Sequence, residues 1–303
     1  MIINIFILVV GFILLIKGAD LFVDGASNLA LNLHVSKILI ALTIVAFGTS
    51  APEFAVSLKG VISNNSDIII GNVIGSNIIN ILLILGISSL FNKLEISNNT
   101  KKIEIPYLIY ITLLFVILIQ DNIISKSDSF IIIISFMIFI YYLIDISRKK
   151  ITLYESPEFG IIKSILFIFI GLISLIYGSN LVVDSAVNIA TILNVSQRII
   201  SLTIVALGTS LPELITSITA SIKKESDIVI GNIIGSNIFN IGVVIGIPSL
   251  IKSINCSFRT IDLLVMIIST LILIGFKNKL SYKKGILMIL IFIVYYSYVI
   301  GGV

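Results

Sequence analysis

The sequence predicts an all-α integral membrane protein, with about ten transmembrane helices arranged as two inverted five-helix repeats. Three observations predict this fold: the composition, the length of the apolar runs and an internal repeat. Of the 303 residues, 57% are hydrophobic and 12% are charged, and this charged fraction is about half that of a typical soluble domain. Such a composition favours a chain whose main solvent is the lipid bilayer.

The apolar runs are long enough to cross a bilayer as helices, which takes roughly 17–25 residues. Their length and their lack of alternating polar residues argue against an outer-membrane barrel. The first run resembles a signal peptide, but it has no basic start and no small-residue cleavage site, so we expect it to remain as a span. The predicted spans lie near residues 3–29, 36–60, 68–91, 105–121 and 128–147, and near 163–190, 197–221, 228–251, 260–276 and 284–301.

The chain repeats itself at an offset of 160 residues. The stretch Leu42–Glu53 returns as Leu202–Glu213, and the stretch Gly71–Asn80 returns as Gly231–Asn240. We therefore divide the chain into a first five-helix repeat, residues 1–150, and a second, inverted one, residues 151–303. An odd number of spans per repeat makes the two halves enter the membrane from opposite sides. Many secondary transporters have this architecture, with the substrate site at mid-membrane between the repeats.

The loop charges predict the orientation. If the N-terminus is outside, the cytoplasmic loops hold most of the basic residues, among them Lys93, Lys101, Lys102 and Arg148. The outer loops then hold few, such as Lys252. The positive-inside rule therefore predicts a multi-pass protein of the cell membrane with both termini extracellular.

Composition also excludes several classes of function. A formal net charge of +4 is modest and does not indicate binding of nucleic acid. With Cys256 as the one cysteine and His34 as the one histidine, a thiolate or histidine-ligated metal centre cannot form. We expect no cofactor and no enzymatic activity. The expected partners are the bilayer and the transported ions, and we expect the chain to act as a monomer.

Acidic residues are few in the apolar runs, and Glu53 and Glu213 stand near the middle of the second and the seventh predicted span. An ionised carboxylate at that depth is costly unless it is paired, and it marks a functional site by default. No lysine or arginine stands near them in the same segments, since Lys37, Lys59 and Arg198 lie at the span ends. The sequence therefore predicts that a mobile cation is the missing partner.

The residues around both glutamates predict a broken helix. Proline cannot donate the helical hydrogen bond to the carbonyl four residues earlier, and a glycine at that earlier position loosens the turn further. Unwound backbone at mid-membrane exposes carbonyl oxygens, and neighbouring hydroxyls add ligands that hard cations prefer. The predicted helix-breaking residues are Gly48, Pro52, Gly208 and Pro212, and the added hydroxyls belong to Thr49, Ser50, Thr209 and Ser210.

An alternative interpretation of Ser50-Ala51-Pro52-Glu53 is a capping box, in which the serine caps the next helix. The recurrence of the motif at membrane depth favours an ion site, although a helix that restarts at mid-membrane satisfies both interpretations.

The second repeated element is Gly-Asn-x-x-Gly-Ser-Asn-x-x-Asn. Ser76 and Asn80 are four residues apart, as are Ser236 and Asn240, so each pair shares one helix face. The glycines are typical of close helix packing, but asparagines in lipid-embedded helices are not. We predict that these four side chains coordinate ions, with interhelical hydrogen bonding as the alternative.

Both elements, each present twice, resemble the alpha-repeats of the cation/calcium exchanger superfamily, and in particular of its sodium/calcium exchangers. The resemblance implies ten helices, with the second, third, seventh and eighth around the ions. It also implies that the first and sixth slide across this core to alternate access. Calcium would be held by Glu53 and Glu213, with Thr49 and Thr209 beside them. Sodium would use those glutamates and threonines together with Ser50, Ser76, Ser210, Ser236 and the carbonyls of Ala46 and Ala206.

One position departs from some microbial members of the superfamily, which carry aspartate where this chain has Asn240. Two core carboxylates remain, enough to neutralise one calcium ion. The resemblance implies exchange of sodium for calcium.

A proton/calcium exchanger is the nearest alternative, because protonation of Glu53 and Glu213 could replace sodium binding. The paired Ser-Asn-x-x-Asn elements favour sodium. A cation channel suits broken helices less well than a carrier does. An intramembrane enzyme would need a nucleophile with a base, and the sequence has neither a Gly-x-Ser-x-Gly nor a His-Glu-x-x-His motif.

Overall fold

The computed structural model describes residues 1–63, 66–148, 156–193, 206–255, 258–276 and 278–301. Most of these residues lie in helices, as predicted. The junction of the two predicted repeats, at residues 150 and 151, and the first residues of the predicted span 197–221 lie outside the described residues.

The described residues form twelve helices and four short strands. The helices are α1 (Ile2–Leu33), α2 (Lys37–Thr49), α3 (Ala51–Ile62), α4 (Ser66–Phe91), α5 (Thr100–Leu118), α6 (Lys126–Ser147), α7 (Ile161–Ile192), α8 (Ala206–Gly208), α9 (Leu211–Ile222), α10 (Ser226–Ile251), α11 (Thr260–Gly275) and α12 (Tyr282–Gly301). The strands are β1 (Leu94–Glu95), β2 (Ile123–Ile124), β3 (Ile254–Asn255) and β4 (Lys279–Leu280). They form two antiparallel pairs, β1 with β4 and β2 with β3, with Leu94 opposite Leu280 and Ile124 opposite Ile254.

Six of these helices, α1, α4, α6, α7, α10 and α12, are long and apolar enough to span a membrane. The number becomes seven if α2 and α3, which meet at a bend of 46°, form one broken span. Two more helices, α9 and α11, are apolar but shorter. The described residues thus form a multi-pass helical membrane protein, and the number of ten spans remains a prediction.

Helices α4 and α10 form the centre of the molecule. In the most apolar stretch of α10 every residue is buried, and in that of α4 72% are, against 22% in α1 and α7. The outer helices instead expose large apolar side chains such as Phe6, Ile13, Phe130 and Ile138. Extended apolar surface of this kind is suited to lipid.

Helices α1 and α7 pack against each other in antiparallel orientation through glycine. Gly11 lies against Gly178 and Gly18 lies against Gly171, so closely that a Cβ on Gly171 would stand 2.6 Å from the Phe22 backbone nitrogen. Small residues allow such close approach of helices in membranes. Both helices have 32 residues, about 48 Å of length, which exceeds the roughly 30 Å hydrocarbon core. They must therefore tilt or project beyond it.

One end of the molecule, which we call the lysine-rich face, carries Lys37, Lys93, Lys223, Lys224 and Lys279. There the Lys223 Nζ lies 2.8 Å from a carboxylate oxygen of Asp24 in α1. The Lys37 Nζ lies 2.9 Å from Glu225, which also accepts a hydrogen bond of 3.0 Å from Ser27 in α1. These contacts join the end of α1 to the connection between α9 and α10.

The opposite face cannot form the same ion pairs, because Ser63 and Asn65 stand 160 residues before Lys223 and Glu225. The burial of α1 and α7 also differs between the two faces. All of residues 25–31 in α1 are buried, whereas in the equivalent part of α7, residues 185–191, only Ser185 and Ala190 are. Among the described residues, α1 is therefore more deeply buried at the lysine-rich face than α7 is at the opposite one.

The glycine contact between α1 and α7 generates a prediction. The substitution Gly171→Ala should lower the free energy of unfolding by about 1–3 kcal/mol, because the added methyl group forces two backbones apart. Thermal unfolding of the purified protein in detergent measures this. Gly160→Ala is the matched control, because its Cβ would meet no described atom within 4 Å. Equal effects of the two substitutions would show that the contact is not tightly packed.

Candidate cation-binding site

Two helix breaks lie at equivalent positions of the repeats. Ser50 separates α2 from α3 with φ −82° and ψ 6°, and Ser210 separates α8 from α9 with φ −86° and ψ 6°. Pro52 and Pro212 stand in the first turn after each break, where the missing N–H is tolerated. Neither serine caps the following helix through its side chain, so the hydroxyls are free for other bonds.

Each of these hydroxyls reaches the glutamate of the other repeat. Ser50 donates to Glu213 Oε1 at 2.9 Å, and Ser210 donates to Glu53 Oε1 at 3.3 Å. The glutamates are almost completely buried, with 0% and 1% of Glu53 and Glu213 exposed. Their second oxygens, Oε2, have no hydrogen-bond partner among the described residues. Each carboxylate is thus held at one oxygen and open at the other.

Further hydroxyls surround the breaks. Thr49 donates to Asn232 Oδ1 at 3.0 Å and lies 3.4 Å from the Ser236 hydroxyl, while Ser210 lies 3.4 Å from the Ser76 hydroxyl. All of these side chains are buried, and Thr209 is half-buried beside Ser210.

The carbonyls near the breaks differ in their partners. The Ala46 carbonyl accepts a bond from the Ser50 N–H at 3.1 Å and lies 3.4 Å from the Thr49 hydroxyl. Ala206 is the first described residue of α8. The Gly208 carbonyl, which Pro212 cannot use, accepts a hydrogen bond from Ser179 of α7 at 2.8 Å. The equivalent residue for the Gly48 carbonyl is alanine, at position 19.

Four asparagines join α4 to α10 at the centre of the core. The Asn80 Nδ2 donates to Asn237 Oδ1 at 2.8 Å, and the Asn240 Nδ2 donates to Asn77 Oδ1 at 3.0 Å. The Oδ1 atoms of Asn80 and Asn240 are buried and have no partner in the described part of the chain. With the two Glu Oε2 atoms they make four buried oxygens without a donor.

Segments of π-helix coincide with this site. They cover Ala41–Val45 in α2, Ile79–Leu85 in α4 and Asn240–Ile245 in α10. Such wide turns occur frequently at functional sites. Here they contain or adjoin predicted ligands, and they change which side chains face the centre after the turn.

The donor set indicates the chemistry. Carboxylate, carbonyl and hydroxyl oxygens are the ligands of hard cations such as calcium and sodium. None of the ion pairs between described residues involves Glu53 or Glu213. No group of three or more acidic, histidine or cysteine side chains suited to a metal occurs in the described ranges. The site thus offers two carboxylates, with neutral oxygens for the remaining positions.

Sequence reasoning did not single out Asn77, Asn237, Asn232 or Ser179. The asparagines belong to the repeated motif, but the four-residue spacing directed attention to Ser76 and Asn80 instead. The signal that the sequence offered was the further asparagine in each copy of the motif, at positions 77 and 237. Ser179 has no equivalent serine in the first repeat, so repetition could not reveal it.

The chain matches the sodium/calcium exchanger protein family over residues 3–145 and 163–301. It is 37% identical to the protein CaxA of Alkalimonas amylolytica over 96% of this chain and 97% of that protein. It is 27% identical to the sodium/calcium exchanger MaX1 of Methanosarcina acetivorans, over 97% of both chains. A solved structure of the sodium-calcium exchanger NCX_Mj, soaked with sodium and strontium ions, superposes with a TM-score of 0.87 at 33% identity, covering 97% of this chain and 98% of that one.

Asn232 provides a prediction for the stability of the site. Its Nδ2 donates to Ser217 at 3.0 Å, and its Oδ1 accepts from Thr49. Asn232→Leu should lower the free energy of unfolding by about 1–3 kcal/mol, since it leaves the buried Ser217 hydroxyl without its partner and removes one acceptor of the Thr49 hydroxyl. Thermal or denaturant unfolding measures the loss. The exposed Asn98→Leu is the control and should change little; a stable Asn232→Leu protein would contradict the bonding described.

Proposed function

Because the chain belongs to the sodium/calcium exchanger family, we propose that it is a secondary active antiporter. It exchanges sodium for calcium across the membrane by alternating access. The observation that carries this proposal is that four of the nine buried side-chain oxygens without a hydrogen-bond partner in the described residues belong to the repeated motifs, on Glu53, Glu213, Asn80 and Asn240. Buried polar atoms normally have hydrogen-bond partners. Four buried oxygens without such partners in one core are what a site that binds and releases a cation requires.

The proposed ligands divide by ion. Calcium is bound chiefly by Glu53 and Glu213, whose two negative charges match its own, with Thr49 and Thr209 completing the shell. Few charged ligands favour moderate affinity, and a carrier must release its ion. Sodium takes the same four residues together with Ala46, Ser50, Ser76, Asn80, Ala206, Ser210, Ser236 and Asn240.

We also propose the architecture that alternating access requires. Residues 1–150 and 151–303 form two inverted five-helix repeats, ten spans in all, and the chain acts as a monomer. The antiparallel contact of α1 with α7, which occupy equivalent places in the repeats, supports the inversion. The lysine-rich face is cytoplasmic, in accord with the positive-inside rule, and both termini are then extracellular.

The unequal burial of α1 and α7 supports the access mechanism. Since the end of α1 is buried at the lysine-rich face and the equivalent end of α7 is more exposed, we propose that the conformation described is closed to the cytoplasm. Movement of α1 and α7 across the core would reverse this, and it would have to break the bonds of Asp24 to Lys223 and of Ser27 to Glu225.

Calcium uptake into liposomes tests the proposal. Vesicles loaded with sodium and placed in sodium-free buffer should accumulate radioactive calcium, and removal of the sodium gradient should abolish uptake. Glu53→Gln and Glu213→Gln should each reduce uptake at least about a hundredfold, since each removes a charge from a calcium ligand at a desolvated site, a loss of several kcal/mol.

Glu95→Gln is the matched control, because Glu95 is an exposed carboxylate in β1, paired with Lys279 at 2.8 Å. It should transport like the unaltered protein. Uptake that follows a pH gradient without sodium would contradict sodium coupling, and non-saturating flux independent of any counter-ion would indicate a channel.

A further inference from the structure

Asn77 and Asn237 bond to each other across the two repeats. The Asn77 Nδ2 donates to the backbone carbonyl of Asn237 at 3.4 Å, and the Asn237 Nδ2 donates to that of Asn77 at 3.2 Å. A backbone carbonyl can only accept. These two contacts therefore decide which end of each carboxamide is nitrogen, and each Oδ1 is turned to the other side.

Each Oδ1 so placed receives one hydrogen bond from the last asparagine of the other repeat. Asn240 donates to Asn77, and Asn80 donates to Asn237. Because the nitrogen ends of Asn80 and Asn240 are used here, their oxygens lie at the free ends of the carboxamides. Those are two of the four buried oxygens without donors on Glu53, Glu213, Asn80 and Asn240.

We infer that Asn77 and Asn237 are positioning residues, which hold Asn240 and Asn80 with their oxygens directed to the cation; this rests on the function proposed above. Both polar ends of Asn77 and Asn237 are used within the asparagine network, so they act through their partners. Without Asn77, nothing in the network holds the nitrogen end of Asn240, and a half-turn of its carboxamide would present N–H groups to a positive ion.

The network is crossed, and this gives it a second property. The ligand on α4 is held by α10, and the ligand on α10 is held by α4. A displacement of one helix along the other would therefore turn both ligand oxygens together. The two repeats thus share control of the orientation of their amide ligands.

Double-mutant cycles test the inference. Asn77→Leu and Asn237→Leu should each raise the half-saturating sodium concentration about tenfold, the effect of one well-placed hydrogen bond. The crossed pairs are Asn77 with Asn240 and Asn237 with Asn80. In each, the half-saturating sodium concentration of the double Leu variant should differ by about twofold at most from that of the single variant at the ligand, Asn240→Leu or Asn80→Leu. In the uncrossed pairs, Asn77 with Asn80 and Asn237 with Asn240, the two effects should multiply.

The readouts are sodium-dependent calcium flux and the rise in Tm that sodium produces in detergent. The rise in Tm is used for variants that transport too slowly for a flux measurement. Ser249→Val is the matched control: it removes a buried hydroxyl bonded to Ser129 at 2.7 Å, away from the site, and should lower Tm without changing the sodium response. If Asn77 has only a structural role, Asn77→Leu should raise the half-saturating sodium concentration by the same factor in the crossed pair as in the uncrossed pair.

Equal coupling in the crossed and uncrossed pairs, in a protein that exchanges sodium for calcium, would overturn this inference alone. An unaltered protein that neither transports calcium nor gains stability from sodium or calcium would overturn the proposed function, and the inference with it.

Discussion

The structure depends on two carboxylates, Glu53 and Glu213, buried in the core of a membrane protein with no lysine or arginine paired to them among the described residues. Such groups are costly at this depth unless ligands compensate them. The helix breaks at Ser50 and Ser210 bring hydroxyls to one oxygen of each carboxylate. The asparagines of α4 and α10 add neutral oxygens, and α1 covers the core at one face. Each of these features supports the proposed binding and release of a cation.

The helical membrane class, the duplication and the residues of both helix breaks could be predicted from the sequence, because they depend on composition and on local chemistry. The roles of Asn77 and Asn237 could not. Helical spacing alone pairs Ser76 with Asn80, and only the approach of α4 to α10 decides which asparagines meet. The π-helical turns at Ile79–Leu85 and Asn240–Ile245 shift the facing side chains by an amount that no periodicity of 3.6 residues anticipates.

The site is nearly symmetric, whereas its surroundings are not. Each ligand of one repeat has a like residue in the other, but the pairs of Lys223 with Asp24 and of Lys37 with Glu225 occur at the lysine-rich face, and their counterparts Ser63 and Asn65 are uncharged. Partly exposed ion pairs contribute modestly. Under the proposed alternating access, a symmetric core would leave the two access states equal in energy, so small differences at the periphery would decide which one is favoured.

The glycine contact between α1 and α7 has the form of an isologous interface. Gly11 meets Gly178 while Gly18 meets Gly171, and each pair becomes the other when the two repeats are exchanged. Two separate molecules of a half-length protein, inserted in opposite orientations, would meet through this same contact. A dual-topology ancestor could thus have assembled as an antiparallel homodimer before fusion of its genes, and fusion would then have fixed in one polypeptide an interface that already existed.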